Sequence, residues 1–278
     1  MIERAFVTIA EGQVHMRRVV VADSTKRPVI LIHASPSSSR WMVDLAESLA
    51  ATGRSVFALD TLGNGDSPPP ALPAPEIDYF ADSVLRVADA LGLDRFDVYG
   101  VHTGARIACE LAAAHPARIG RIVLDGIKDY DDETRAKILA EYAPTVAPNE
   151  HGTHFVWAFH FVRDQALYFP HFEKNPAHRL PGFMPSPEIL HHAAIDVLKA
   201  LDTYSLPYLA AFRYCSQDRL PLIGGPVLML KSELELAVLN SAVDEAAALL
   251  RDGTVAAVGA DPKDKSSVIA RFLDGTLS

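Results

Sequence analysis

In the first twenty residues apolar and polar side chains alternate, over 5–10 and again over 13–21, with Glu11-Gly12 between the two runs. That pattern predicts an antiparallel hairpin at the start of the chain. Beyond it the alternation gives way to short apolar blocks: Val29-Ile30-Leu31-Ile32-His33, Val56-Phe57-Ala58-Leu59-Asp60, Phe96-Asp97-Val98-Tyr99-Gly100 and Ile122-Val123-Leu124-Asp125. Continuous apolar blocks of this length fit strands covered on both faces. The intervening segments 41–51, 79–91 and 105–115 carry apolar residues at three- and four-residue spacing, which predicts helices. Strands alternating with helices imply an α/β architecture with a mostly parallel sheet between helical layers.

The rhythm breaks over 128–222, where aromatics, prolines and the histidines His151, His154, His160, His171, His178, His191 and His192 replace it. This stretch reads as an inserted helical cap, leaving residues 1–127 and 223–278 as the core. The core rhythm returns with Pro226-Val227-Leu228-Met229-Leu230-Lys231, a helix over 240–251, a strand over 254–258 and a last helix over 266–273.

A length of 278 residues with 49% hydrophobic side chains suffices for a large buried core. The apolar runs fall far short of the roughly 20 residues a membrane helix needs, so no membrane association is expected. The opening Met1-Ile2-Glu3-Arg4-Ala5-Phe6 has no basic segment leading into an apolar run, and a cytoplasmic setting is expected. Cys109 and Cys215 are far apart and read as buried, reduced thiols. A net charge of -9 without a Lys/Arg run gives no footprint for nucleic acid. His160 and Asp164, one helical turn apart, raise the possibility of a metal, but no further ligand has motif spacing. No metal and no cofactor are expected; the partner is a small-molecule substrate, and the sequence carries no signal for oligomeric state.

Three segments carry the chemistry. His33-Ala34-Ser35-Pro36-Ser37-Ser38 follows the first buried strand, Asp60-Thr61-Leu62-Gly63-Asn64-Gly65-Asp66-Ser67 follows the next, and Gly100-Val101-His102-Thr103-Gly104 joins a strand to a helix. In order and spacing they resemble the α/β-hydrolase superfamily: its His-Gly-x-Pro turn, its Asp-x-x-Gly-x-Gly-x-Ser turn and its Gly-x-Ser-x-Gly nucleophile elbow. The resemblance covers both halves of the core and implies an eight-stranded, mostly parallel sheet with a cap. It also implies that the N–H groups of Ser35 and Thr103 form an oxyanion hole, and that residue 102 projects into a pocket from a tight turn.

Two departures alter the chemistry. His102 stands where the family has its serine, and Gly259-Ala260-Asp261 stands where the family has Gly-x-His. A serine ester cannot form, and the usual base is missing. What remains is an imidazole suited to general acid/base work. An acid to orient it is expected from Asp125 or from Glu233, after the strand ending at Lys231, with Glu235 and Asp261 as alternatives; Asp125 equally suits a turn-capping role before Gly126. The helical segment 154–165 places Trp157, His160, Phe161 and Asp164 on one face, and His33, Trp41, Trp157, His160 and Phe161 are expected to line the pocket.

The expected activity is therefore that of an α/β-hydrolase-family enzyme on a small, largely apolar carbonyl compound such as an ester or lactone, with His102 as general base or nucleophile. A lyase or cofactor-independent oxygenase on the same scaffold, and a non-catalytic binding protein with a degraded elbow, are the alternatives.

Overall fold

The computed structural model describes residues 1–182 and 184–277. Its strands are β1 (Glu3–Ile9), β2 (Gly12–Val19), β3 (Val29–Ile32), β4 (Val56–Leu59), β5 (Phe96–Val101), β6 (Ile119–Asp125), β7 (Val227–Ser232) and β8 (Gly253–Val258). They form an eight-stranded sheet of order β1-β2-β4-β3-β5-β6-β7-β8. The hairpin pairs antiparallel, β2 runs antiparallel to β4, and every later pairing is parallel.

The helices are α1 (Val43–Ala50), α2 (Ile77–Ala90), α3 (Thr103–Ala114), α4 (Asp132–Glu141), α5 (Thr153–Leu167), α6 (Pro187–Lys199), α7 (Ser205–Arg213), α8 (Ala237–Ala247) and α9 (Pro262–Leu273). Alternating side chains of the central strands divide the core. Ile30, Ile32 and Val98 pack with α2 and α3 in one layer, while Val29, Leu31 and Tyr99 pack with α1 and α9 in the other. Each fully buried Ile, Leu or Val contributes about 1.5–3 kcal/mol, which is why these blocks stay in the sheet.

Helices α4 to α7 all fall between β6 and β7. Of these, α5 and α6 share an apolar cluster of their own around Phe161, Leu190, Val197 and Tyr204. Among the described residues no helix is long and apolar enough to cross a membrane.

Three expectations need correction. The helix expected over 240–251 is α8, Ala237–Ala247. Cys109 is buried, but Cys215 is only half-buried. The last helix begins at Pro262 rather than at 266, because Asp261 caps it, accepting a hydrogen bond from Lys263 N at 2.9 Å, with Pro262 in the first turn. Asp261 therefore ends a loop and starts a helix, and its carboxylate is occupied as the cap.

The chain crosses from β4 to β5 by stepping over β3, so the connections after β3 and after β5 leave in opposite directions from neighbouring strands. The crevice beyond the carboxyl ends of two such strands is where open α/β sheets bind ligands.

Candidate active site

Residue 102 has φ 51° and ψ -107°, one of two non-glycine residues with positive φ among those described. It sits directly after β5 and immediately before α3. Strain of this kind persists only where the surroundings hold it. Here the His102 N–H donates to the Asp125 carbonyl at 2.8 Å, pinning the turn to β6. The flanking glycines permit the crossing: a Cβ on Gly100 would fall 2.0 Å from the Gly104 carbonyl oxygen, and one on Gly104 2.2 Å from that of Ile32.

The imidazole is partly exposed, and its Nε2 lies 3.1 Å from Glu235 Oε2. Burial pushes the Glu235 carboxyl upward, but the His102 ring, the Leu236 N–H and the charge of Lys265 outweigh it, so the group lies below the usual glutamate range. With Glu235 ionised, the proton of a neutral His102 belongs on Nε2, leaving the lone pair on Nδ1. Gly126, at φ +74°, makes room for this pair. A Cβ there would sit 3.0 Å from Glu235 Oε2 and 3.2 Å from His102 Nδ1 and Cε1.

The other two acids are committed elsewhere. Glu233 accepts from the Ala260 N–H at 3.1 Å, bracing the loop after β8. Asp125 is buried beneath the elbow, where Oδ2 accepts the Tyr99 hydroxyl at 2.6 Å and pairs with Lys265. Burial and the Asp125 charge raise the Tyr99 phenol well above its ordinary pKa, so it remains a donor. Asp125 thus reaches His102 through its backbone carbonyl, and the carboxylate within ion-pair reach of the ring is Glu235. The sequence reading favours Glu233 or Asp125, whereas the ring meets Glu235, two residues further along the same turn and of the same chemistry.

Ser35 and Thr103 both border a cavity of about 320 Å³ that His102 enters. As the first residue of α3, Thr103 has an N–H without an intrahelical acceptor, at the positive end of the helix. The segment carrying Ser35 is fixed from behind. His33 is fully buried and accepts the Thr61 N–H on Nε2 at 3.0 Å, so it supports the segment instead of lining the cavity.

Asp60 completes the brace. One carboxylate oxygen accepts the Ser39 N–H at 2.7 Å, and the other meets His15 Nδ1 and the Asp66 N–H, each at 2.8 Å. Although burial raises it, these donors and the nearby His33 hold the Asp60 carboxyl far below the ordinary aspartate range. Gly65 is required at this turn, because a Cβ there would lie 2.0 Å from Asp60 Oδ2.

The cavity wall is chiefly aromatic and apolar, with Trp41, Tyr130, Tyr142, Phe169, Tyr208 and Phe212 facing it. Trp41 is held by its indole N–H, which donates to Asp196 at 2.8 Å. Trp157, His160 and Phe161 do share one face of α5, as their spacing predicts, but that face lines a separate cavity with His171 and Lys174. Periodicity identifies a face and not what it meets. Arg106, one turn into α3 from His102, lines the aromatic-walled cavity; its signal in the sequence is a lone cation amid the small apolar residues that begin this helix.

His102 also borders a second cavity of about 340 Å³ on its other side, with Asp125, Glu235 and Lys265. As for metals, His15, Asp60 and Asp66 lie close together. Their oxygens are occupied, however, since Arg4 and Lys199 pair with Asp66 and backbone amides fill Asp60. Asp164 is likewise paired with Arg163 and Lys174. Neither group suits a divalent cation.

Comparison with known proteins agrees with the architecture. The chain is 38% identical over 106 residues to a 2-hydroxymuconate semialdehyde hydrolase of Pseudomonas sp. (strain CF600), covering 36% of each chain. It is 33% identical over 128 residues to a 2-hydroxy-6-oxononadienedioate/2-hydroxy-6-oxononatrienedioate hydrolase of Paraburkholderia xenovorans (strain LB400), covering 44% of this chain and 43% of that one. The match therefore spans about two fifths of these relatives' length.

The enol-lactonase of Burkholderia xenovorans LB400 has a similar fold, with a TM-score of 0.72 over 98% of this chain and 99% of that one at 16% identity. Carboxylesterase CesB of Bacillus subtilis is similar in fold with the same TM-score, 0.72, over 99% and 92% of the two chains at 18% identity. The family model for the alpha/beta hydrolase fold matches residues 27–259, and the chain belongs to that family.

Proposed function

We propose that the chain is an enzyme that cleaves a small, largely apolar carbonyl compound, such as an ester or lactone, with His102 as general base. The observation that carries this reading is the strained elbow, which presents an imidazole backed by Glu235 to an aromatic-walled cavity bordered by Ser35 and Thr103. Strain of that kind has a purpose only if the side chain must stand where it does.

In this mechanism a water gives its proton to His102 Nδ1 as its oxygen bonds to the carbonyl carbon. The carbonyl π electrons move to oxygen, and the resulting anion is held by the N–H groups of Ser35 and Thr103. The anion collapses, the bond to the leaving oxygen breaks, and the imidazolium returns its proton to that oxygen. Ester and water become acid and alcohol, and the ring ends as it began. Glu235 keeps the ring oriented and offsets its transient positive charge. Attack by Nδ1 itself, with water then cleaving the acyl-imidazole, uses the same groups. The hydrolases and the enol-lactonase named above lend support by analogy of family.

The test is a panel of activated esters, lactones and thioesters assayed with wild type and His102→Ala. Turnover by wild type that falls at least about 10²-fold in the variant is the expected result. Equal turnover by both proteins overturns the assignment. Ligand binding without turnover in either favours a binding protein, and non-hydrolytic products a lyase or oxygenase.

A further inference from the structure

A charged side chain in an apolar wall needs a counter-charge from somewhere, and for Arg106 the chain does not supply one. Arg106 is 5% exposed and, among the described residues, is the only Asp, Glu, Lys or Arg bordering the cavity that His102 enters. No carboxylate of the described chain pairs with it. One terminal nitrogen donates to the His102 carbonyl at 3.3 Å and the other to the Lys128 carbonyl, while Nε is buried with no acceptor.

The acid that acts on it from a distance, Asp129, is itself occupied by the Ser216 hydroxyl at 2.7 Å and the Gln217 N–H at 2.9 Å. Burial lowers the guanidinium from its ordinary pKa, yet an arginine stays charged at neutral pH. The Ser35 hydroxyl, on the same cavity, is also buried and unpartnered. A buried charge with no counter-ion is costly, and a buried donor without an acceptor calls for an explanation that a bound anion would supply.

We infer that Arg106 determines specificity by anchoring a carboxylate on the ligand, so that the cavity takes a monoanion with an apolar or aromatic body. The inference rests on this cavity being the binding site and names the class of molecule it admits. The carboxylate sits toward the first turn of α3, the apolar body lies among Tyr130, Tyr142 and Phe212, and the reacting carbonyl is a few atoms from the acid group, near His102. A neutral ester of the same shape leaves the guanidinium uncompensated.

Binding of 4-phenylbutanoate and of its neutral amide, followed by calorimetry and by the fluorescence of Trp41, which lines the same cavity, tests this without turnover. Wild type should bind the carboxylate about 10- to 100-fold more tightly than the amide, the usual worth of a charge-assisted contact. Arg106→Gln should erase the difference and leave the amide's affinity in place, whereas His102→Asn should keep it. Should Arg106→Gln not fold, the comparison of wild type with His102→Asn still decides, because a preference that vanishes in His102→Asn assigns the anion to His102.

Equal binding of both compounds by wild type, no binding of the carboxylate, or a preference surviving in Arg106→Gln overturns the inference. Failure of the ester panel with this preference intact would count against hydrolysis and leave the anchor standing.

Discussion

Replacing Gly126 by alanine separates backbone strain from damage to the site. Gly126 has φ +74°, where any Cβ is strained, and the new methyl would approach Glu235 Oε2 to 3.0 Å and two atoms of the His102 ring to 3.2 Å. The left-handed backbone costs about 1 kcal/mol. The contacts are tighter than ordinary packing by a few tenths of an ångström and fall on the ends of two side chains that can move. The further cost therefore appears as displacement of the ring rather than as lost stability. Gly92 is the control: its φ is +69° and nothing lies within 4 Å of its would-be Cβ.

Both variants should lose about 1 kcal/mol, or about 2–4 °C in Tm. Only Gly126→Ala should lower kcat/KM on the best ester of the panel, by roughly ten- to hundredfold, the usual consequence of misplacing a reacting group by less than an ångström. If the two variants lose activity equally, or Gly126→Ala loses none, the ring and Glu235 do not work as the pair described.

Other expectations follow from the same geometry. Glu235→Gln should lower kcat about 10²-fold with KM little changed, while Glu233→Gln stays within about twofold of wild type, a split read by steady-state kinetics. Asp60→Asn sets an amide N–H₂ against the donors of His15 and Asp66 and should cost about 3 kcal/mol in denaturant unfolding. Because the folded-state pKa of Asp60 is depressed, its contribution is complete above the unfolded value near pH 4 and is lost as pH falls toward the folded value. Acid titration should therefore show wild type losing its advantage over Asp60→Asn below about pH 4; a constant gap down to pH 2 would contradict that.

The parts of this molecule legible from sequence are those where geometry forbids other residues. Gly100, Gly104 and Gly65 occupy positions where a Cβ would strike backbone or the Asp60 carboxylate, so the elbow and the turn after β4 leave fixed letters in the chain. The strand blocks are legible because burial on both faces admits little but Val, Ile, Leu and Phe.

Side-chain partnerships left no such trace. Glu233 and Glu235 differ only in which way a turn faces, and Asp125 reaches His102 through a carbonyl that every residue possesses. The role of Asp261 was available from Asp261-Pro262, a helix-start pair, once the resemblance to a Gly-x-His turn is set aside. The aromatic wall comes from residues tens of positions apart in sequence, Trp41 after β3 and the others between β6 and β7, joined only by packing.

His102 and Trp41 each border both the aromatic-walled cavity and the Lys265 cavity, so two side chains stand between chambers of similar size. A turn of the imidazole about its first side-chain bond would widen the passage beside Trp41, and a ligand too long for either chamber alone could then reach into both. The same ring that is proposed to move a proton would then also decide how long a molecule the protein admits.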